Sequence, residues 1–162
     1  MKKFAKVLLA LTLALTCLLT LAACRAKETP ETTTKTTTET TDADGGVEKT
    51  GVWATATYLK DTTIGEGAKT LTVEVKAEGQ TVTFTVKTDE KTVGAALLKE
   101  KLIAGEQGGY GLYIKSVNGM LADYDVDQTY WAFYENDAYA MAGVDTTDIK
   151  EGTTYRLERT KG

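Results

Sequence analysis

Histidine is absent from these 162 residues, and serine occurs once, at Ser116. Neither a Ser-His nor a Cys-His nucleophile pair can be assembled, because the base that activates the nucleophile is missing. Histidine-ligated zinc is excluded with it. Catalysis by two carboxylates needs only a pair of acids at the right separation. Yet the 23 acidic residues are scattered along the chain and read first as a solvated surface, so the sequence points to a binding protein, not an enzyme. Cysteine is scarce, at positions Cys17 and Cys24 only, and the single proline is Pro30. An excess of basic charge is also missing. Nineteen Lys and Arg stand against 23 Asp and Glu, a formal charge of -4, which is a poor footprint for nucleic acid phosphates.

What is present begins with Met1-Lys2-Lys3 and an apolar stretch from Val7, ending on Leu21-Ala22-Ala23-Cys24. Positive charge, apolar run and small residues before a cleavage point are the order of an export signal. As a membrane span, 7–23 would be interrupted by Thr12, Thr16 and Thr20 and would lie at the short end of the roughly 17–25 residues needed. Leu21 to Cys24 resembles the lipobox of bacterial lipoproteins. That resemblance implies that residues 1–23 are a removed signal peptide and that Cys24 carries the lipid and begins the mature protein. The chain would then sit on the extracytoplasmic face of the bacterial cell membrane. Loss of Cys17 leaves no internal disulfide, so stability must come from the core. Loss of Lys2, Lys3 and Lys6 leaves 16 basic against 23 acidic residues, a charge of -7. Anionic headgroups would repel such a chain, and the acyl chains would hold it.

Residues 24–50 are read as a lipidated cysteine followed by a linker. The stretch Thr32-Thr33-Thr34-Lys35-Thr36-Thr37-Thr38-Glu39-Thr40-Thr41 has too little apolar surface to offset the entropy of folding. As a flexible coil, about 25 residues span roughly 25–30 Å. Residues 51–162 then make one domain. Leu71, Val73 and Val75 alternate with Thr72, Glu74 and Lys76, and Val82, Phe84 and Val86 alternate with threonines. Ala77-Glu78-Gly79-Gln80 between them closes a hairpin. Thr88 to Thr92 offers helix caps, and Val93, Ala96 and Leu97 form an apolar stripe at helical spacing. Gly105 and Gly108 to Gly111 predict a flexible loop. Strands are expected at 112–117, 130–135, 139–141 and 153–158, with Asn118-Gly119 and Asn136-Asp137 as turns, and an edge strand at 52–58. The predicted fold is α+β, a β-grasp-like small mixed sheet with one packed helix.

Two features could carry a ligand. Asp123, Asp125 and Asp127 resemble positions 1, 3 and 5 of a calcium loop, but position 6 is Gln128 and position 12 is Tyr134, so the loop is incomplete and no metal is assigned. The segment Tyr130-Trp131-Ala132-Phe133-Tyr134 places Trp131 and Phe133 on one face, read as core, and the tyrosines on the other. Tyr130, Tyr134, Tyr139 and the glycine-flanked Tyr110 suit an amphipathic binding surface.

Gly111 to Gly119, Tyr130 to Tyr134, Gly143-Val144 and the strand from Ile149 to Leu157 resemble the C-terminal β-domain of the cobalamin carriers transcobalamin and intrinsic factor. They resemble still more closely exported bacterial lipoproteins bearing a domain of unknown function, as does Tyr58 to Gly67. The resemblance implies that one face of a corrinoid such as cobalamin would rest on Tyr110, Gly111, Leu112, Tyr134, Glu135, Asn136, Asp137, Tyr139 and Met141, with no resident cofactor. The large helical barrel that completes the carriers' site has no counterpart here, and tight pockets enclose about 70–90% of a small ligand. The function read from the sequence is capture of a corrinoid-like molecule for a membrane vitamin transporter. The alternative is docking of a surface protein or glycan by the same face.

Overall fold

A computed structural model describes residues 46–162. The signal peptide, Cys24 and nearly all of the linker lie outside the described residues. Among those described, no helix is long and apolar enough to cross a membrane.

In chain order, a 3-10 turn at Gly51–Thr55 leads to β1 (Thr62–Gly65), β2 (Lys69–Ala77), β3 (Gln80–Thr88) and α1 (Val93–Lys99). Then follow β4 (Ile103–Gly108), β5 (Gly111–Val117), β6 (Met120–Leu121), α2 (Tyr124–Asp127), β7 (Thr129–Glu135), β8 (Ala138–Tyr139) and β9 (Thr154–Lys161). The α+β class is as the sequence predicts. Instead of one small sheet there are two, a six-stranded sheet in the order β1-β3-β2-β9-β7-β8 and a three-stranded sheet in the order β4-β5-β6.

The β2–β3 hairpin forms because one residue in two is apolar. Leu71, Val73, Val75, Val82, Phe84 and Val86 are all buried, and Glu78 and Gly79 both take positive φ, 50° and 79°, the backbone twist a two-residue hairpin turn needs. Strand β9 lies parallel to β2, with Val73 opposite Tyr155 and Val75 opposite Leu157. Strand β7 runs antiparallel on its other side, with Phe133 opposite Leu157. Helix α1 starts where Thr92 accepts a hydrogen bond from the Ala95 N–H at 3.3 Å, a side-chain N-cap. It buries Val93, Ala96 and Leu97 and ends before Lys101 at φ 56°.

Three expectations give way to the structure. The glycine-containing stretch expected to be a loop is strand β4, whose residues after Ile103 are all exposed. It is paired through backbone only, with a register shift between Ala104 and Gly105. The segment expected as an edge strand at 52–58 begins as the 3-10 turn, which sinks Trp53 fully into the core, and the edge position is taken by β1, parallel to β3. The alternating acids fall on α2, with Asp123 capping it by accepting from the Asp125 N–H at 3.0 Å. The ordered fold also reaches upstream of Gly51. Val47 packs against the core and its N–H donates to the Leu59 carbonyl at 2.8 Å.

Candidate functional site

Alternation along β7 gives the molecule two distinct surfaces. Trp131 and Phe133 point inward and are 7% and 8% exposed. Strand β5 brings Leu112 and Ile114 toward the same side, and β8 with the segment after it brings Tyr139, Met141 and Val144. Between them lies a cleft of about 260 Å³. Its floor is aromatic: Phe133 stacks on Tyr155 at 6.0 Å with their planes 12° apart. The Trp131 Nε1–H is buried with no hydrogen-bond partner among the described residues. Met141 stands on the rim at 99% exposure.

The wall of this cleft is fixed by short polar contacts. The Ala140 N–H donates to the Phe133 carbonyl at 3.0 Å, and the Gly94 N–H at the start of α1 donates to the Val144 carbonyl at 2.7 Å. A side chain on Gly94 would meet the Val144–Asp145 backbone at 2.8–2.9 Å, so only glycine lets the helix approach this closely. Asp145 Oδ2 accepts from the Leu112 N–H at 3.2 Å and from Gln107 Nε2 at 3.4 Å. This carboxylate ties the β4–β5 hairpin to the turn at 143–147. Gly111 takes φ 111°, a backbone conformation that strains any other residue, and its would-be Cβ lies 3.0 Å from Asp145 Oδ1, a tight approach.

On the outward face of β7 the chemistry is polar. Glu74, Arg156 and Tyr134 are register partners across β2, β9 and β7, and Tyr134 pairs with Tyr139 of β8. The Arg156 guanidinium lies 4.6 Å from the centroid of the Tyr134 ring. It pairs with Asp137, with Glu74 at 3.8 Å and with Glu158 at 3.4 Å. Burial works to lower the Arg156 pKa, but the hydrogen bond and charge of Asp137, with Glu158 and Glu74, outweigh it and hold the proton more tightly than usual. A second cavity of about 170 Å³ opens here, lined by Glu74, Asn136, Asp137, Thr154 and Arg156.

The residues expected to form one ligand surface therefore divide. Leu112, Tyr139 and Met141 meet at the cleft, and Gly111 adjoins it through Asp145. Asn136 and Asp137 line the outer cavity, and Tyr134 faces the same way. Glu135 pairs with Lys150 at 3.2 Å. Tyr110 is fully exposed and lines neither cavity. Asn136 and Asp137 also carry a structural role, since both take positive φ, 45° and 67°, to turn β7 into β8. Sequence reasoning missed the contribution of Trp131, Phe133, Val144 and Arg156. For Arg156 a signal existed: a strongly polar residue between buried Tyr155 and Leu157, on a central strand.

The alternating acids do not converge on a common point. Asp127 accepts from the Thr129 N–H at 3.0 Å, from the Thr129 hydroxyl, and pairs with Arg159. Among the described residues no group of three or more acidic, cysteine or histidine side chains is arranged to hold a metal ion. The Thr129 hydroxyl hydrogen bond, aided by its N–H and the Arg159 charge, lowers the Asp127 pKa below its ordinary 3.8. A depressed carboxylate contributes stability above its unfolded pKa and loses it as pH falls through the folded value. The melting temperature of the parent chain should therefore drop more between pH 5 and about pH 3 than that of Asp127→Asn. Parallel acid profiles for the two chains would contradict this.

Comparison with known proteins places residues 91–158 in the domain of unknown function DUF4430. A solved structure from Ruminococcus gnavus ATCC 29149, described as a "putative metal binding protein", is 31% identical with a TM-score of 0.56. The match covers 59% of this chain and 99% of that one. Haptocorrin in complex with Cbi is 18% identical at a TM-score of 0.47, covering 57% of this chain and 25% of that one. No curated protein matches.

Proposed function

The chain belongs to the DUF4430 family, and on that premise we propose that it is an extracytoplasmic binding lipoprotein, anchored through Cys24, whose ligand enters the cleft over Trp131 and Phe133. The carrying observation is the state of the floor. Two large aromatic side chains lie beneath an open cleft, and the Trp131 Nε1–H has no acceptor among the described residues. Burying an unpaired donor costs about 1–3 kcal/mol, a cost that a ligand acceptor or a bound water would remove.

The ligand class that the resemblance to cobalamin carriers implies is a corrinoid, flat and rich in amides. Amide carbonyls are acceptors suited to an indole N–H. At about 260 Å³ the cleft is smaller than the roughly 300–1,000 Å³ of pockets that enclose a small molecule. It would therefore grip an edge, leaving the remainder for a transporter subunit to receive. The β-grasp reading is supported by the order hairpin, helix, two returning strands, with β2 and β9 parallel at the centre. For the metal binding named for the Ruminococcus gnavus relative, the described residues offer no ligand cluster.

Equilibrium dialysis of the mature chain against cobalamin tests this reading. Retention at micromolar concentration is expected, weakened about tenfold by Met141→Ala, which is about 1.4 kcal/mol, and unchanged by Asp137→Asn on the other face. Absence of retention by the parent chain would defeat the corrinoid assignment. Equal binding by Met141→Ala would defeat the cleft.

A further inference from the structure

We propose that the outer face of the six-stranded sheet carries a second binding site, the cavity around Arg156, which takes a neutral pyranose of an extracellular glycan with Tyr139 as its aromatic wall. This goes beyond the cleft: the outer cavity's own lining, Glu74, Asn136, Asp137, Thr154 and Arg156, shares no residue with the cleft, and only the added wall, Tyr139, borders both.

Elsewhere on the outer face, Thr72, Thr83 and Thr85 occupy outward positions of β2 and β3 beside Glu74, and Lys76 pairs with Glu158 at 3.0 Å, as expected of a solvated sheet surface. A threonine at position 156 would serve the sheet equally well. Instead a guanidinium sits at the centre, stacked on Tyr134 and surrounded by three carboxylates. Arg156, Glu158 and Glu74 are partly buried, at 17%, 26% and 34% side-chain exposure, and ion pairs taken out of water roughly break even against their desolvation, so stability alone is a weak reason for the cluster. What the cluster achieves is order: the planar groups of Arg156, Glu74 and Asp137 are held around the cavity before any ligand arrives, which lowers the cost of binding.

The hydrogen-bonding inventory then selects the ligand. Ionised carboxylates only accept and a guanidinium only donates, so a partner must both donate and accept within a small space. Vicinal hydroxyls do this. Arg156 Nε is buried and has no hydrogen-bond partner among the described residues, lying 3.4 Å from Glu158 Oε2 without the alignment to donate to it. An anion would face Glu74, Asp137 and Glu158 together. A cation would have to displace Arg156 from those same carboxylates. A neutral polyol meets neither penalty. Tyr139, 59% exposed and edge-on to Tyr134 at 5.4 Å, offers a fixed apolar ring against which the C–H face of a pyranose can pack.

The test is an NMR titration of the mature chain with glucose, N-acetylglucosamine and cellobiose, with putrescine as a cationic control. Saturable shifts from at least one sugar, confined to residues around Asn136, Tyr139 and Arg156, are expected at millimolar concentrations, the range of weak binding. Tyr139→Ala and Asp137→Asn should each weaken the affinity at least fivefold. Both side chains are exposed and asparagine tolerates the positive φ at 137, so folding should survive, and unchanged amide spectra elsewhere would verify it. No sugar-induced shift at about 50 mM, a site response to putrescine alone, or equal affinity in both variants would each overturn the proposal. Met141→Ala should leave sugar binding untouched, which separates a failure here from a failure of the cleft.

Discussion

Trp53→Ala should remove about 3–5 kcal/mol of folding stability, the range for deleting a buried tryptophan, and lower the melting temperature by roughly 10 °C or more. Trp53 is fully buried although it lies in a five-residue 3-10 turn with little conformational preference of its own. Packing and one polar contact hold it there: its Nε1–H donates to the Ala77 carbonyl at 2.9 Å, at the end of β2 where the hairpin turns. The hairpin reciprocates through Glu78, whose carboxylate accepts from the Val52 N–H at 3.1 Å. Trp53→Phe keeps much of the apolar surface but strips the Ala77 carbonyl of its donor, so it should cost only about 1–2 kcal/mol. Domains of this size have about 5–15 kcal/mol in total, and urea denaturation of the three chains would resolve the order. A loss near 1 kcal/mol for Trp53→Ala would mean that the turn is an appendage.

The fate of that tryptophan illustrates what the sequence conceals. Strands β2 and β3 were legible because their alternation is strict and their turn carries Gly79. Helix α1 was legible because a capping threonine precedes an apolar stripe. Trp53 is one large residue in a stretch without period, and nothing local says that it crosses to the hairpin. Strand β4 was missed for the opposite reason: almost all its side chains are exposed, so its strand character resides in backbone pairing to β5. The division into two sheets is likewise a matter of partner choice, which alternation does not encode.

The site was half legible by the same logic. Period two separated Trp131 and Phe133 from Tyr130 and Tyr134, and the structure keeps that separation. Residues flanking the β7–β8 turn are accordingly spread over the cleft and the outer cavity, with Tyr139 bordering the cleft and packing edge-on to Tyr134. The floor of the cleft was read as core because Trp131 and Phe133 share one apolar face of the strand, and both are indeed part of the buried core. Only the approach of β5 and the 139–144 segment reveals that an open cleft lies above them.

Asn118→Ala should cost about 2–4 kcal/mol, and its pattern among variants should separate two causes. Asn118 is 1% exposed and joins three segments. Its own N–H donates to the Leu102 carbonyl at 2.7 Å, and its carbonyl accepts from the Thr57 N–H at 2.9 Å. Its side chain clasps the Tyr58 backbone, with Oδ1 accepting from the Tyr58 N–H at 2.9 Å and Nδ2 donating to the Tyr58 carbonyl at 2.8 Å. Tyr58 in turn packs edge-on against Phe84 at 5.6 Å. The residue also sits at φ 51°, where asparagine is tolerated and alanine is strained by about 1–2 kcal/mol. Glycine relieves that strain but leaves the Tyr58 groups unpaired, so Asn118→Gly should lose about 1–2 kcal/mol, less than alanine. Aspartate keeps the acceptor for the Tyr58 N–H yet turns a carboxylate toward the Tyr58 carbonyl. At neutral pH Asn118→Asp should therefore fall below glycine, and it should recover on acidification as the protonated acid regains a donor. Equal losses for alanine and glycine would assign the whole effect to the clasp. A neutral alanine variant would show that the backbone bond from Thr57 and the packing of Tyr58 on Phe84 hold the 56–60 segment without the clasp.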